Sequence, residues 1–380
     1  MKYCKRCIQP DTRPQIWFDE HQICGACLYE ERKAEINWTQ RERELTEISN
    51  HAKVESKKRG ISYDCVIGVS GGKDSTFQAL YMKEKLGLNP LLVNCIPDEI
   101  TELGTYNINN LASLGFDIIH VRPNPIIAKK LAKKSFYEYG NLVKASEYCL
   151  WVSAYRIAIQ WSIPLIVQGE NPALTLGISQ GMNTDDDAFG IFSTNTLQGG
   201  DIDIWIDDGI NEDMLYLYKA PSKSEYNSKN IRSIYLQYYA REWSQVGNAE
   251  FAIAHGLRVR ENDDTREIGR YTRHSALDND IVVANQMLKY LKFGFGFATD
   301  EACYDIREGR ISREEAISLV NEYDGKCGDQ YLQYACDYIG VTKEEFWRVA
   351  DGFVNKKLFE KDDSTGVWVP RFVVGTDFKI

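Results

Sequence analysis

The chain has 380 residues, a formal net charge of −10 and a hydrophobic fraction of 43%, room for roughly two or three domains around an ordinary buried core. That acidic balance argues against a mainly electrostatic grip on nucleic acid, which needs clustered Lys and Arg, and no apolar run is long enough to cross a bilayer. No signal-peptide core follows Met1-Lys2-Tyr3, so a cytoplasmic protein is expected, in which the ten cysteines act as metal ligands or buried thiols and not as disulfides.

The chain opens with Cys4-Lys5-Arg6-Cys7, followed by Cys24-Gly25-Ala26-Cys27. Two such knuckles supply four thiolates to one tetrahedral zinc, and each two-residue gap makes the turn that gathers its sulfurs. Residues 1–30 are therefore expected to form a zinc ribbon, too small for a core of its own and stabilised by the metal. From 31 to 60 the sequence is highly charged with few apolar residues (Ile36, Trp38, Leu45, Ile48). It reads as an exposed helix that links the ribbon to a catalytic domain.

From Ile61 the pattern alternates strands and helices to about residue 240. Strands are expected at Cys65–Val69, Pro90–Cys95, Phe116–Val121, Ile163–Val167 and Ile231–Leu236, with helices near Glu102–Leu114, Pro125–Tyr139 and Glu147–Trp161. This order implies an α/β fold, a parallel sheet with helices on both faces. Ligands of such sheets bind at the carboxyl ends of the strands. Ser70–Ser75, Asn94-Cys95 and Gly169-Glu170-Asn171 should share that rim.

The first strand leads into Ser70-Gly71-Gly72-Lys73-Asp74-Ser75 and then a helical pattern. Two glycines let the backbone turn closely around a ligand, and a helix start beside a lysine is an anion site. The Walker loop is excluded, because its first glycine position holds Ile67 and its magnesium-binding hydroxyl position holds Asp74. The stretch instead resembles the PP-loop of the N-type ATP pyrophosphatases, which hold the β- and γ-phosphates of ATP as a unit and cleave between α and β. Lys73 would then bind pyrophosphate and Asp74 would help hold magnesium. Ser70, Gly71, Gly72 and Ser75 would donate to phosphate, and Gly169, Glu170 and Asn171 would complete the ATP site.

Lys129, Lys130, Lys133 and Lys134 form a basic stripe on one predicted helix, a solvated face by default. From Asn171 to Tyr218 there is no Lys, Arg or His, while Asp185, Asp186, Asp187, Asp201, Asp203, Asp207, Asp208, Glu212 and Asp213 accumulate. A long acidic insertion beside an ATP site suggests a lid, cation handling or a partner surface. Residues 241–380 read as mostly helical. Ser312-Arg313-Glu314-Glu315 and Thr342-Lys343-Glu344-Glu345 open two of the helices as capping boxes. Cys303, Cys327 and Cys336 are too dispersed for a metal site and read as buried thiols.

Nearly the whole chain resembles the N-acetyl sugar amidotransferases, a group that includes surface-polysaccharide and pseudaminic-acid amidotransferases. The resemblance rests on Tyr3-Cys4-x-x-Cys7 with Cys24-x-x-Cys27, Ser70–Ser75, and Gln168-Gly169-Glu170-Asn171-Pro172. It continues in Tyr271-Thr272-Arg273-His274, Leu291-Lys292-Phe293-Gly294-Phe295-Gly296, Arg307-Glu308-Gly309-Arg310 and the tail Trp368–Phe378. It implies ATP-dependent conversion of a sugar acetamido group to an acetamidino group through an O-adenylated imidate, releasing AMP and pyrophosphate. ATP, Mg2+ and a structural Zn2+ are the implied cofactors, and an acetamido sugar or nucleotide-sugar the implied substrate. Arg273 and Lys292 are candidate phosphate or substrate contacts.

An N-terminal-nucleophile glutaminase needs cysteine directly after the initiator methionine, where this chain has Lys2. Ammonia is therefore expected from a separate glutaminase, resembling the histidine-pathway glutaminase and cyclase pair. The nearest competing reading is a PP-loop tRNA thiolase, with Cys65, Cys95 and Cys149 as candidate sulfur carriers. A non-enzymatic scaffold is a second.

Overall fold

The computed structural model describes residues 1–178, 185–193, 202–207, 209–262 and 264–379. Asp201 and Asp208 of the acidic insertion lie outside the described residues. Five strands make one sheet: β1 (Cys65–Gly68), β2 (Pro90–Cys95), β3 (Asp117–Val121), β4 (Leu165–Gln168) and β5 (Arg232–Tyr235), in the order β3-β2-β1-β4-β5. Every pairing is parallel, with Val66 opposite both Leu91 and Ile166. Val66 and Ile67 are fully buried, as a strand covered on both faces requires. The strand order reverses between β1 and β4, so the crevice above these two carboxyl ends is where a ligand would sit.

Helices α1 (Gly25–Arg32) and α2 (Trp38–Arg59) precede the sheet. Next come α3 (Lys73–Leu80), α4 (Glu102–Ser113), α5 (Pro125–Tyr139), α6 (Lys144–Trp161) and the short α7 (Pro172–Thr175). The α2 helix is capped by Asn37 at its start and stopped by Gly60 at φ +70°. It is no free linker: Leu45, Ile48 and Ala52 join the core beneath β1, and Arg41 stacks on Tyr238 at 3.7 Å. Around β5 lie α8 (Lys223–Ser228), α9 (Leu236–Tyr239), α10 (Gln245–Ala254) and α11 (Asp264–Glu267). The C-terminal helices are α12 (Ile281–Phe293), α13 (Phe297–Arg307), α14 (Arg313–Tyr323), α15 (Asp329–Ile339) and α16 (Lys343–Phe353). Ser312 completes a capping box on α14, while Thr342 caps α16 through its hydroxyl.

The N-terminal ribbon shares one apolar cluster with the C-terminal helices. Tyr3, Ile8 and the four knuckle cysteines pack with Ala298, Cys303, Phe359 and Phe372. Cys303 is thus not dispersed from the thiols, because α13 carries it against Cys7. The acidic insertion is likewise packed where it is described. Trp205 is fully buried among Leu131, Tyr148 and Leu215, and Lys134 of α5 pairs with Asp207 at 3.1 Å. Asp186 meets Arg232 at 2.7 Å and the Tyr239 hydroxyl at 2.6 Å. The insertion draws its counter-charges from outside its own sequence, which is why it reads as uncompensated. Lys133 donates to the Gly340 carbonyl at the surface. Among the described residues, no helix is long and apolar enough to cross a membrane.

Candidate active site

After β1 the backbone turns through Gly71, at φ +79°, and enters α3 at Gly72. A Cβ on Gly71 would lie 3.0 Å from the Ile108 amide nitrogen, so the turn is closed to any larger residue. The first-turn N–H groups of α3 have no intrahelical partner and leave room for phosphate oxygens. Ser75 donates to the Gly72 carbonyl at 3.1 Å and so braces the turn.

Lys73 is 5% exposed. Its Nζ contacts the Asp74 carboxylate and donates to Gln245 Oε1 at 2.5 Å. Asn248 donates to the other Asp74 oxygen at 2.8 Å. Gln245 also reaches Glu170 Oε2 at 3.4 Å. The lysine and both carboxylates therefore meet at the switch point, held by two amides one turn apart on α10. A lysine, a helix N-terminus and a carboxylate pair suit a triphosphate with its magnesium. Burial, with Asp74 close by, raises the Glu170 carboxyl to about 7.

Neither amide of α10 was expected from the sequence. Their placement depends on Glu308, which accepts from Ser244 Oγ at 2.7 Å and from the Gln245 amide at 3.2 Å. Arg310 pairs with Glu308 in turn. The Arg307-Glu308-Gly309-Arg310 stretch thus fixes the helix that holds the phosphate turn. Arg307 itself donates to the Thr175 carbonyl at 3.1 Å, just past the end of β4.

Of the remaining predicted residues, Gly169 allows the Trp243 ring to approach, since a Cβ there would fall 2.9 Å from it. Asn171 is buried and serves as a cap, accepting from the Ala173 amide at 2.9 Å while its own amide donates to Gln237. Arg273 is not brought to the phosphate turn. Its Nε donates to the Arg260 carbonyl and its fork lies 3.6 Å from Glu261. Lys292 donates to the Tyr139 carbonyl at 2.6 Å and is lowered to about 8 by burial. It lines a cavity of about 230 Å³ with Lys289 and Arg13, which shares Glu147 and Asp300 with a larger one.

A larger cavity, of about 400 Å³, opens beside Glu170 and Gln245. Its floor is the end of β2 and the start of α6, and its roof is α13 with the segment from Arg270 to Asn279. Eight carboxyl groups line it against a single arginine, Arg270, among the described residues. Burial raises Glu147 to about 7, Asp278 to about 6, and Asp98 and Glu301 above their usual range. Asp300 moves the other way, held down by Arg13 and Lys289 against the effect of burial. His274 is lowered to about 4 by burial and the nearby Lys73, so it is a neutral imidazole at pH 7. Burial lowers Arg270 to about 10, which leaves it charged. Such a cavity admits a neutral polyhydroxylated ring, a cation, or an anion that reaches Arg270.

Two thiols meet at the cavity wall. Cys95, at the end of β2, lies 3.2 Å from Cys149 of α6. Cys65 is a core residue with no route to the cavity.

The four knuckle cysteines each offer a sulfur within 4.8 Å of the others, and all are at most 2% exposed. Backbone amides of Cys24 and Gln9 donate to the Cys4 and Cys7 sulfurs at 3.3 and 3.5 Å. Buried sulfurs gathered this closely, with N–H donors, suit one zinc. The ribbon also touches the site: Arg13 pairs with Asp300, and the Trp17 amide donates to the Gly177 carbonyl beyond α7.

Residues 268–372 match the family described as LPS biosynthesis protein WbpG-like, C-terminal domain. The match spans the roof of the cavity and Glu308. Over 91 residues the chain is 35% identical to an uncharacterized protein of Methanocaldococcus jannaschii, a stretch covering 24% of this chain and 31% of that protein. The chain thus spans about a third of the length of the curated relative it matches.

Proposed function

We propose that this chain, whose residues 268–372 match the WbpG-like C-terminal domain of lipopolysaccharide biosynthesis, is an AMP-forming amidotransferase that converts a sugar acetamido group to an acetamidino group in surface-glycan synthesis. The observation that carries this reading is the meeting of Lys73, Asp74 and Glu170 after β1 and β4, beside a cavity roofed by the WbpG-like segment. An amide carbonyl is a poor electrophile and its oxygen a poor leaving group. Bound MgATP supplies the remedy, since an amide oxygen joined to its α-phosphorus departs as AMP when ammonia adds to the carbon.

The chain's own groups do the rest. Lys73 and the first turn of α3 would hold the pyrophosphate portion, and Asp74 with Glu170 would hold the magnesium. Gln245 and Asn248 fix these side chains before substrate arrives, so little reorganisation is left for the reaction. Glu147, titrating at about 7, is suited to take the proton that ammonium loses. No glutaminase motif stands in the sequence, so ammonia would come from a partner subunit.

The test uses purified protein with ATP, magnesium, ammonium and a panel of acetamido sugars. AMP and pyrophosphate should form together, and the product should be about one mass unit lighter, NH having replaced O. Formation of ADP, or no nucleotide turnover across the panel, would overturn the reading. Turnover with glutamine alone would overturn the separate ammonia source.

The Cys95–Cys149 pair favours a second reading, a sulfur-transferring PP-loop enzyme, since Cys95 lines the cavity. Against it, the neighbouring thiol and burial push Cys149 far up, so Cys149 is poor in thiolate. Undiminished amidination by Cys95→Ala would exclude it.

A further inference from the structure

Among the described residues that line the large cavity, Arg270 alone has buried side-chain donors without partners. It is 2% exposed, and neither Nε nor Nη1 makes a hydrogen bond. The guanidinium carbon stands 3.5 Å from the centre of the Phe297 ring, which fixes its plane. Glu301 Oε1 lies 3.6 Å from Nε, outside hydrogen-bond range. That carboxylate is engaged by Thr272, whose hydroxyl donates at 2.5 Å and whose amide donates at 3.4 Å. A buried charge with open donors is costly unless something completes it.

The geometry of these open donors identifies the chemistry. A guanidinium fork matches the paired oxygens of a carboxylate or phosphate, and stacking on an aromatic ring leaves its edge free for them. The phosphate turn does not line this cavity, and Lys73 and α3 already serve the triphosphate. The other lining charges are carboxyls, including Glu99, Asp278 and Asp305. Among the described lining residues, Arg270 is the group that attracts an anion.

We propose that Arg270 anchors an oxyanionic group carried by the acetamido sugar, either the phosphate of a nucleotide-linked sugar or the carboxylate of an acidic sugar. This rests on the cavity being the sugar site. The single cation fixes one end of the substrate, and the length from that anion to the acetamido group sets which nitrogen comes to the phosphate turn.

The test is equilibrium binding by calorimetry to the zinc-loaded full chain. The probes are UDP-N-acetylglucosamine, N-acetylneuraminate and the neutral methyl glycoside of N-acetylglucosamine, with ATP titrated separately. One anionic probe should bind wild type more tightly than the neutral glycoside, and which one does so identifies the source of the oxyanion. Arg270→Gln should weaken that probe by roughly 10- to 100-fold, the scale of a charge-assisted contact, and leave the neutral glycoside and ATP unchanged. Arg270→Lys, which keeps the charge and loses the fork, should fall between, and it is read alone if the glutamine variant does not fold. The proposal is overturned if neither anionic probe outbinds the neutral one, if all three weaken together, or if only ATP binding suffers. None of these readouts needs turnover, so failure to form AMP would sink the amidotransferase reading and leave this one standing.

Discussion

The cysteine cluster and the acidic cavity both gather ionisable groups out of water, and they are finished in opposite ways. The four sulfurs are sealed, with amide donors on Cys4 and Cys7 and apolar side chains around them. Each sulfur lies within reach of the other three, which is the arrangement of a structural site. In the cavity, carboxyls are displaced toward neutrality, an imidazole is held neutral, and an arginine keeps open donors. A protein tolerates such incompleteness where a substrate finishes it. Gathered sulfurs under apolar cover mark the ribbon, and displaced carboxyls around an unpartnered arginine mark the cavity.

The sharpest way to break that division is at Lys73. Lys73→Ala should cut AMP formation by about 10³-fold, the scale of removing one preorganised charge contact, and leave the zinc content at one per chain. Loss of zinc on that substitution would show that the two regions are not separable. Cys4→Ser tests the other side. It should release zinc and lower the melting temperature more than any single change in the cavity wall, because a metal held by these four sulfurs would contribute to folding. Metal analysis and a thermal melt decide it, and full zinc occupancy in Cys4→Ser would refute the four-thiolate site.

The smallest effect is a pH dependence. Glu147 and Glu170 titrate at about 7 and Asp278 at about 6 in the folded chain, against roughly 4 when unfolded. Between these values the folded state keeps protons that the unfolded state has released. Stability from these groups is therefore whole below about pH 4 and lost as pH rises through 6 and 7. The ligand-free melting temperature should fall from about pH 5.5 to 8, and Glu147→Gln should flatten the curve by roughly 2 kcal/mol over that range. An unchanged slope in Glu147→Gln would mean that this carboxyl is hydrated.

The phosphate turn and the sheet were legible because their signals are local. A buried strand, two glycines and a lysine occupy adjacent positions, and the knuckle cysteines announce themselves by spacing. Helices α3 to α6 followed from the same periodicity, with α5 spanning the expected Pro125–Tyr139, while the short α7, α8 and α9 did not. Gln245, Asn248 and Glu308 were not legible, because an amide on a helix has no motif and acquires its role only when α10 docks on α3. Their one trace was the Arg307–Arg310 stretch, noticed as part of a set and without a role. The sequence points to Arg273 and not to Arg270, three residues before it. Both lie in a loop, where no period says which side chain faces inward. The acidic insertion misled for the same reason: the cation that answers Asp186 is Arg232, 46 residues away.

The ribbon's position has a consequence for how the molecule is made. Its cover comes from Ala298, Phe359 and Phe372, and the Tyr3 amide donates to Asp377, 374 residues along the chain. The ribbon must wait for partners made 374 residues later. Contacts of such sequence separation form slowly, and meanwhile four thiols and their apolar surround stand open to oxidation and to neighbouring chains. Yield should therefore depend on zinc supplied during synthesis and not afterwards.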